Sequence, residues 1–377
     1  MAEELSQQQQ LQLQIMRNAR RQQLQQIAMN QAQQQAIMSS SAPNAGGNSN
    51  STPSQLSMQT IQPQPKVMAS AYDDISIDPS DYEIIDREDT YISTFKSACQ
   101  QGSLFTVDSI VSSRTPPCTP FFLHQGLTEA LRAGNIDITH YLLSAGAPIV
   151  RPTPGNILSA PSDRQLPLFE LLVHHGWTVN TPGFYGEVLL PRVVANLPVL
   201  RWFLVHGADP NLGEQRDYQD RTGGSDTDSC AALEVAAGQG SVEALRLLLD
   251  AGAKIQHGYP LHFAAGACPP DMNPHEGRVT PSKEFDQSTI PAMALLLERG
   301  ADVNQAERSR HLVAKYAIVH AVMAGAVERV RWLLAHGADA DLKGAYGSAV
   351  TYATGMGSEE MRCLIDETLR ARRQVMS

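Results

Sequence analysis

Chemistry, if the chain performs any, has to start from its histidines and five cysteines. The cysteines, at 99, 118, 230, 268 and 363, include no C-x-x-C pair, and their odd number and scatter read as reduced thiols of an intracellular protein. Cys268, Asp271 and His275 share one proline-rich stretch, but three mixed ligands are too few for a closed structural metal site. Asp226 and Asp228 stand in a glycine-flanked loop, where solvation explains them. His175, His206 and His336 each precede a glycine that ends a leucine-rich run, a place where an imidazole can donate to the last carbonyls of a helix. His262 follows Tyr-Pro-Leu and is expected to hydrogen-bond within a turn. No G-x-S-x-G, G-x-x-x-x-G-K-[ST] or H-E-x-x-H occurs. The expected site is therefore one of binding, with no catalytic residue, no cofactor and no metal.

The elements that would position a binding site repeat along the chain. In AALEVAAGQGSVEALRLLLDAGA (231–253), Leu233, Ala236 and Ala237 share one helical phase and Val242, Leu245, Leu248 and Leu249 another, with Gly240 at the break. That spacing predicts two short antiparallel helices, closed by Gly252 in the left-handed conformation that satisfies orphan carbonyls. Neither helix can bury its apolar face alone, so such units are stable only when stacked. The second-helix signature returns as HYLLSAGA (140–147), LFELLVHHG (168–176), LRWFLVHGADPN (200–211), MALLLERGADVN (293–304) and VRWLLAHGADAD (330–341).

These units resemble ankyrin repeats. Tyr259-Pro260-Leu261-His262 matches the T-P-L-H opening of that family in all but the threonine, whereas Ala231-Ala232-Leu233-Glu234 keeps only the leucine. The units ending at Gly176 and Gly207 show almost no first helix. The resemblance spans roughly 90–370 and implies an all-α ankyrin-type solenoid of seven or eight repeats, read here as 92–370.

Residues 1–71 are rich in Gln, Ser, Asn and Pro and are expected to be disordered, with a short helix or coiled coil as the alternative around Glu3–Ile37. Residues 72–91 form an acidic leader whose isoleucines and tyrosine are expected to cap the first repeat. Residues 371–377 read as a C-terminal tail. Two insertions interrupt the array: 213–229 between repeats, and 267–289 between the two helices of one repeat. Pro269, Pro270, Pro274 and Pro281 predict a surface loop in the second.

The net charge is −10, and residues 1–70 carry four basic and two acidic side chains, so the remainder holds about −12. Such an array repels a phosphate backbone. Arg17, Arg20 and Arg21 beside Asn18 and Ala19 are too few for a major-groove basic helix, so direct DNA contact is not expected. No apolar run approaches 18 residues, and no membrane association is expected.

Partners are then other proteins, bound through the concave face that the resemblance implies. Its free positions are Arg132, Gln239, Ala267, Met323 and Met356 on first helices and Tyr185, Tyr218, Arg310, His311 and Tyr346 on fingers, and the tyrosines, arginines and methionines among them are types enriched at interface cores. Arg329 and Glu243 are read as surface residues of the opposite, convex face. The functional reading is a non-catalytic interaction module or adaptor, within it a transcriptional coregulator. The alternatives are a cytoplasmic scaffold or ubiquitin-ligase substrate adaptor and, remotely, an enzyme, with either nucleus or cytoplasm as location. If residues 1–70 contribute no packing, deleting them leaves the melting temperature within about 2 °C, measured by circular dichroism.

Overall fold

The chain divides into units Met1–Pro63 and Gln64–Ser377, and the computed structural model describes residues 90–113, 118–274, 276–308 and 314–376, all in the second unit. The tail of 1–71, nearly all of the leader of 72–91, Arg310, His311 and His275 lie outside the described residues.

Helices come in pairs along the described chain: α1 (Thr90–Gln101) with α2 (Leu104–Ser113), and α3 (Pro120–Ala133) with α4 (Ile136–Ser144). In the next unit a 3-10 turn, Pro154–Ser159, stands in for the first helix before α5 (Ser162–His174), and the unit after it has only the four-residue α6 (Leu190–Val193) before α7 (Leu197–Val205). These are the two units whose first helices the sequence scarcely shows. Then follow α8 (Ala231–Gly238) with α9 (Val242–Asp250), and α10 (Pro260–Ala265), whose partner α12 (Ile290–Glu298) comes only after an inserted α11 (Lys283–Ser288). The last pairs are α13 (Ala317–Met323) with α14 (Val327–Ala335) and α15 (Ala349–Met356) with α16 (Glu359–Met376). α16 runs unbroken past residue 370, where the sequence reading ended the repeats.

The pairs stack in two rows. First helices pack on first helices, as α8 on α10, α10 on α13 and α13 on α15, while second helices pack on second helices, as α7 on α9 and α14 on α16. One apolar cluster runs between the rows from Ile92 to Ile365 and includes Leu245, Leu248 and Leu334. Its continuity is what stabilises helices too short to persist alone.

Glycine sets the corners for a conformational reason. Gly146, Gly176, Gly207, Gly252, Gly300 and Gly337 all hold φ between 81° and 95°. At each, the next residue's N–H reaches the carbonyl five residues back at 2.9–3.0 Å, as from Ala253 to Leu248. A Cβ on Gly207 or Gly252 would meet nothing within 4 Å, so the backbone angle and not crowding demands glycine there. Beyond three corners an asparagine staples one repeat to the next. Asn180, Asn211 and Asn304 donate from Nδ2 to the carbonyls of Gly207, Gly252 and Gly337 and accept from the N–H groups of Asp209, Lys254 and Asp339, all at 2.8–3.1 Å.

The insertion after α10 is not only a surface loop. Pro281 is its last proline, and Ser282 directly after it caps α11 by accepting from the Phe285 N–H at 3.2 Å. Asp286, on α11, is buried against Arg329 of α14, which is itself 0% exposed. The expectation that Arg329 is a surface residue is therefore corrected. Its Nε donates to Asp286 Oδ1 at 2.9 Å, and its Nη1 to the carbonyls of Ala264, Ala265 and Ala267 at 3.2, 2.8 and 2.8 Å. Ala267, read as a free position, is buried in the same arrangement. The Asp286 carboxylate also accepts the N–H groups of Glu328 (2.6 Å) and Arg329 (3.2 Å). One ion pair thus caps two helix ends, the C-terminus of α10 with a cation and the N-terminus of α14 with an anion, as the helix dipole favours.

The histidines are structural as well. His206 and His336 donate from Nδ1 to the carbonyls of Trp202 and Trp332 at 2.8 Å and stack on those indoles at 4.0 and 3.8 Å, as helix-end donors should. The His175 ring does otherwise: its Nε2 is buried with no hydrogen-bond partner. His262 is buried, and its Nε2 donates to the Lys315 carbonyl at 3.1 Å, joining neighbouring repeats rather than closing its own turn. His124 Nε2 shares a hydrogen bond with the Thr153 hydroxyl at 2.9 Å. Burial, then the nearby charge of Arg132 for His124 and of His320 for His262, pushes each imidazole down from 6.5 to about 4.

Arg329→Met leaves Asp286 as an uncompensated buried carboxylate and is expected to cost about 3–5 kcal/mol, whereas Arg329→Met combined with Asp286→Leu recovers only part of it, because the carbonyls of Ala264, Ala265 and Ala267 and the N–H groups of Glu328 and Arg329 remain uncapped. Glu243→Ala, at an exposed pair with Arg201, should cost no more than about 0.5 kcal/mol, and urea unfolding titrations measure all three variants. For the histidines, the unfolded chain takes up protons near pH 6.5 and the folded chain only near 4, so their stabilisation is full above pH 6.5 and is lost as pH falls toward 4. Each then withdraws about 2 kcal/mol between pH 7 and pH 5, and His262→Gln should shrink the measured pH difference by that amount.

Candidate interaction surface

The insertion of 213–229 builds outward from a two-residue bridge. Gly213 and Asp226 exchange N–H to carbonyl bonds at 3.0 and 2.9 Å, and the Ser229 N–H reaches the Asn211 carbonyl at 2.9 Å, so the glycine- and aspartate-rich stretch between them folds back as a ribbon. This ribbon docks on the preceding finger. The Tyr185 N–H donates to the Arg221 carbonyl and the Gln215 N–H to the Tyr185 carbonyl, both at 2.8 Å, and the Ser225 hydroxyl donates to the Gly186 carbonyl at 2.5 Å. Gly186 allows the approach: a Cβ there would stand 2.4 Å from the Gly224 oxygen. Arg151, from the finger before, donates to the carbonyls of Pro182 and Gly183 at 3.2 Å.

The two fingers bring Tyr185 and Tyr218 together. Their ring centroids lie 5.6 Å apart at 70°, edge to face. Both hold a left-handed backbone, with φ of 55° and 48°, a conformation that costs a residue with a Cβ about 1–3 kcal/mol and persists only where the surroundings enforce it. The Tyr218 hydroxyl donates to Glu214 Oε2 at 2.9 Å, and the residue is 55% exposed. Beside them the Arg221 guanidinium lies 4.1 Å over the Phe184 ring. Arg216 pairs with Asp228 at 2.9 Å.

The other candidate residues spread along the array. Arg132, in the last turn of α3, is exposed, with its Nε on Asn156 Oδ1 at 2.9 Å and its Nη1 on Glu129 at 3.3 Å. Gln239 is exposed just after α8, Met323 is half-buried against the core at the end of α13, and Tyr346 and Met356, on the finger before α15 and at the end of that helix, are 58% and 37% exposed. Arg310 and His311, the remaining finger candidates, fall outside the described residues. Phe263 is 49% exposed on α10 and was missed because it sits among the alanines and leucine of a helix read only for its packing. Second helices also show apolar side chains, Leu104 and Phe105 on α2 and Val205 at the end of α7.

Little in this surface suits reaction chemistry. Burial pushes the Cys99 thiol up to about 12 and the Cys230 thiol up as well, away from the thiolate a nucleophile needs. Among the described residues, no three His, Cys, Asp or Glu side chains gather as metal ligands, and no helix is long and apolar enough to cross a membrane.

No family model and no curated protein matches the chain. Among solved structures it is similar to the ankyrin repeat domain of Bcl-3, described as a unique member of the IkappaB protein family, at 21% identity over 67% of this chain and 86% of that one, with a TM-score of 0.36. It is similar also to the human ASB11 ankyrin repeat domain, at 17% identity over 73% of this chain and 96% of that one, with a TM-score of 0.37. The paired helices in two rows, the left-handed glycine corners and the asparagine staples make the described residues an all-α solenoid of the ankyrin type.

Proposed function

We propose that the array is a protein-interaction module that binds through its fingers and the outer face of its first helices. The observation that carries this reading is the set of large aromatic side chains left exposed there: Tyr218 and Tyr346 on fingers and Phe263 on α10. Aromatic anchors of this kind dominate binding energy where they enter a partner's pocket. On this reading the fingers and first helices line the concave side, and recognition needs no catalytic group. The narrower role is a transcriptional coregulator, in which the array docks one protein and the Gln-rich tail recruits others. The composition of residues 1–71 supports that role, and a cytoplasmic scaffold or ubiquitin-ligase adaptor is the alternative.

The test is a cross-linking pull-down with the full chain as bait, followed by titration of the captured partner against variants. Tyr346→Ala or Phe263→Ala is expected to weaken binding by about 2 kcal/mol, roughly 30-fold, while unfolding moves by no more than about 0.5 kcal/mol. Glu243→Ala, on the second helix α9, is expected to change neither. Binding that ignores the finger and first-helix changes but is lost with Glu243→Ala would overturn the proposal. Nuclear or cytoplasmic partners in the capture decide between the narrower roles.

A further inference from the structure

We infer that the composite finger of residues 182–189 and 213–229 is a docking surface for an arginine-bearing extended segment of a partner protein. The inference rests on the interaction-module reading and narrows it to one place and one partner chemistry. Among the described residues other than glycine, Tyr185, Tyr218 and Asp271 hold positive φ, and two of these three are the rings that touch. The fingers therefore hold these two rings in place against a backbone preference, with Tyr218 more than half exposed. Its hydroxyl is engaged by Glu214, so the surface it offers is the ring itself. The face of a tyrosine ring attracts a cation, and the same patch already holds one such contact, Arg221 over Phe184.

Charge gives the sign of the partner. The two segments carry six carboxylates, Glu187, Glu214, Asp217, Asp220, Asp226 and Asp228, against Arg216 and Arg221. Arg216 is paired with Asp228, Glu187 with Arg192 at 3.0 Å, Arg221 lies over Phe184 and Arg151 donates to the carbonyls of Pro182 and Gly183, so six carboxylates meet four guanidinium groups and the patch stays negative around a tyrosine pair of which Tyr218 is exposed. Arginine fits this better than lysine. A planar guanidinium stacks on a ring while its fork donates to a carboxylate beside it, whereas an ammonium is a compact, strongly hydrated point charge.

The test uses the full chain and a fluorescein-labelled peptide of alternating glycine and arginine, with lysine and glutamate versions as comparators, read by fluorescence anisotropy. The arginine peptide is expected to bind tighter than the lysine peptide, and the glutamate peptide not at all. Tyr185→Gly with Tyr218→Gly keeps the left-handed backbone while removing both rings, and is expected to weaken the arginine peptide about tenfold, the size of a strong cation–π contact. Tyr218→Phe, which keeps the ring, is expected to retain the affinity. Asp366→Asn with Glu367→Gln, exposed on α16, removes two charges elsewhere and is expected to have no effect. Nuclear Overhauser contacts from the Tyr185 and Tyr218 ring protons to arginine side-chain protons give a second readout, independent of whether the glycine variant folds. Equal binding of arginine and lysine peptides, equal loss in the α16 variant, absence of those contacts, or no binding at millimolar peptide would each overturn the inference. The Tyr346 and Phe263 variants separate this from the broader reading: if they still weaken the captured partner, the module stands and only the composite finger is refuted.

Discussion

The Asp286–Arg329 pair is the constraint around which the C-terminal half of the array is arranged. An ankyrin-type unit joins its two helices by a tight turn, and here that turn has been replaced by the residues between Ala265 and Ile290. Opening the turn leaves the last carbonyls of α10 without a following helix to cover them, and an orphaned buried carbonyl costs about as much as a lost hydrogen bond. Arg329 reaches those carbonyls from α14, and Asp286 comes from the insertion itself to hold the arginine. Taking both charges out of water costs several kcal/mol per ion, so the pair stabilises only because each partner also satisfies backbone groups. Arg329 Nη2 stays buried without a partner, so the desolvation cost is not fully offset. What the pair chiefly contributes is location, since α11 can occupy only the place where its aspartate meets that arginine.

Elsewhere the solenoid is held by interactions between neighbours. Each asparagine staple and each His262-type bond spans one repeat boundary, and the glycine corners set the same exit direction every time. Stability in such an array is close to a sum of local terms, so a fault at one boundary is not absorbed by a common core. The unit whose first helix is only a 3-10 turn and the unit whose first helix has only four residues are tolerated because the cluster between the rows stays continuous through Ile157, Leu190 and Val193.

What could be read from the sequence follows from how local each cause is. A left-handed glycine after a leucine run is required by the backbone of one turn, so the six corners were visible from spacing alone. The same holds for His206 and His336, whose carbonyl acceptors are four residues away. Arg329 was misread because its partners lie 43 and more residues distant, one of them in an insertion whose prolines announced only a loop. His262 was assigned to its own turn for the same reason, its acceptor being 53 residues on. Tyr185 and Tyr218 could be named singly, as exposed tyrosines in loops, but nothing in their spacing of 33 positions says that two fingers close on each other. Gly186 carries that information, and it became legible only beside Gly224.

That closure bears on what a finger can do in recognition. A free surface loop must be ordered when it binds, and each rotamer-rich side chain immobilised then takes about 0.5–1.5 kcal/mol from the affinity. In the composite finger, Tyr185 is bonded through its N–H and carbonyl to the other finger, and Tyr218 is fixed by its hydroxyl and by the Tyr185 ring. Most of the ordering is complete before any partner arrives. The strain of two left-handed tyrosines is likewise met at folding, against the bonds between the fingers, and not at binding. A rigid aromatic pair on an acidic chain of net charge −10 separates two parts of recognition. The long-range field steers a cationic partner, and the rings decide at contact which cation fits.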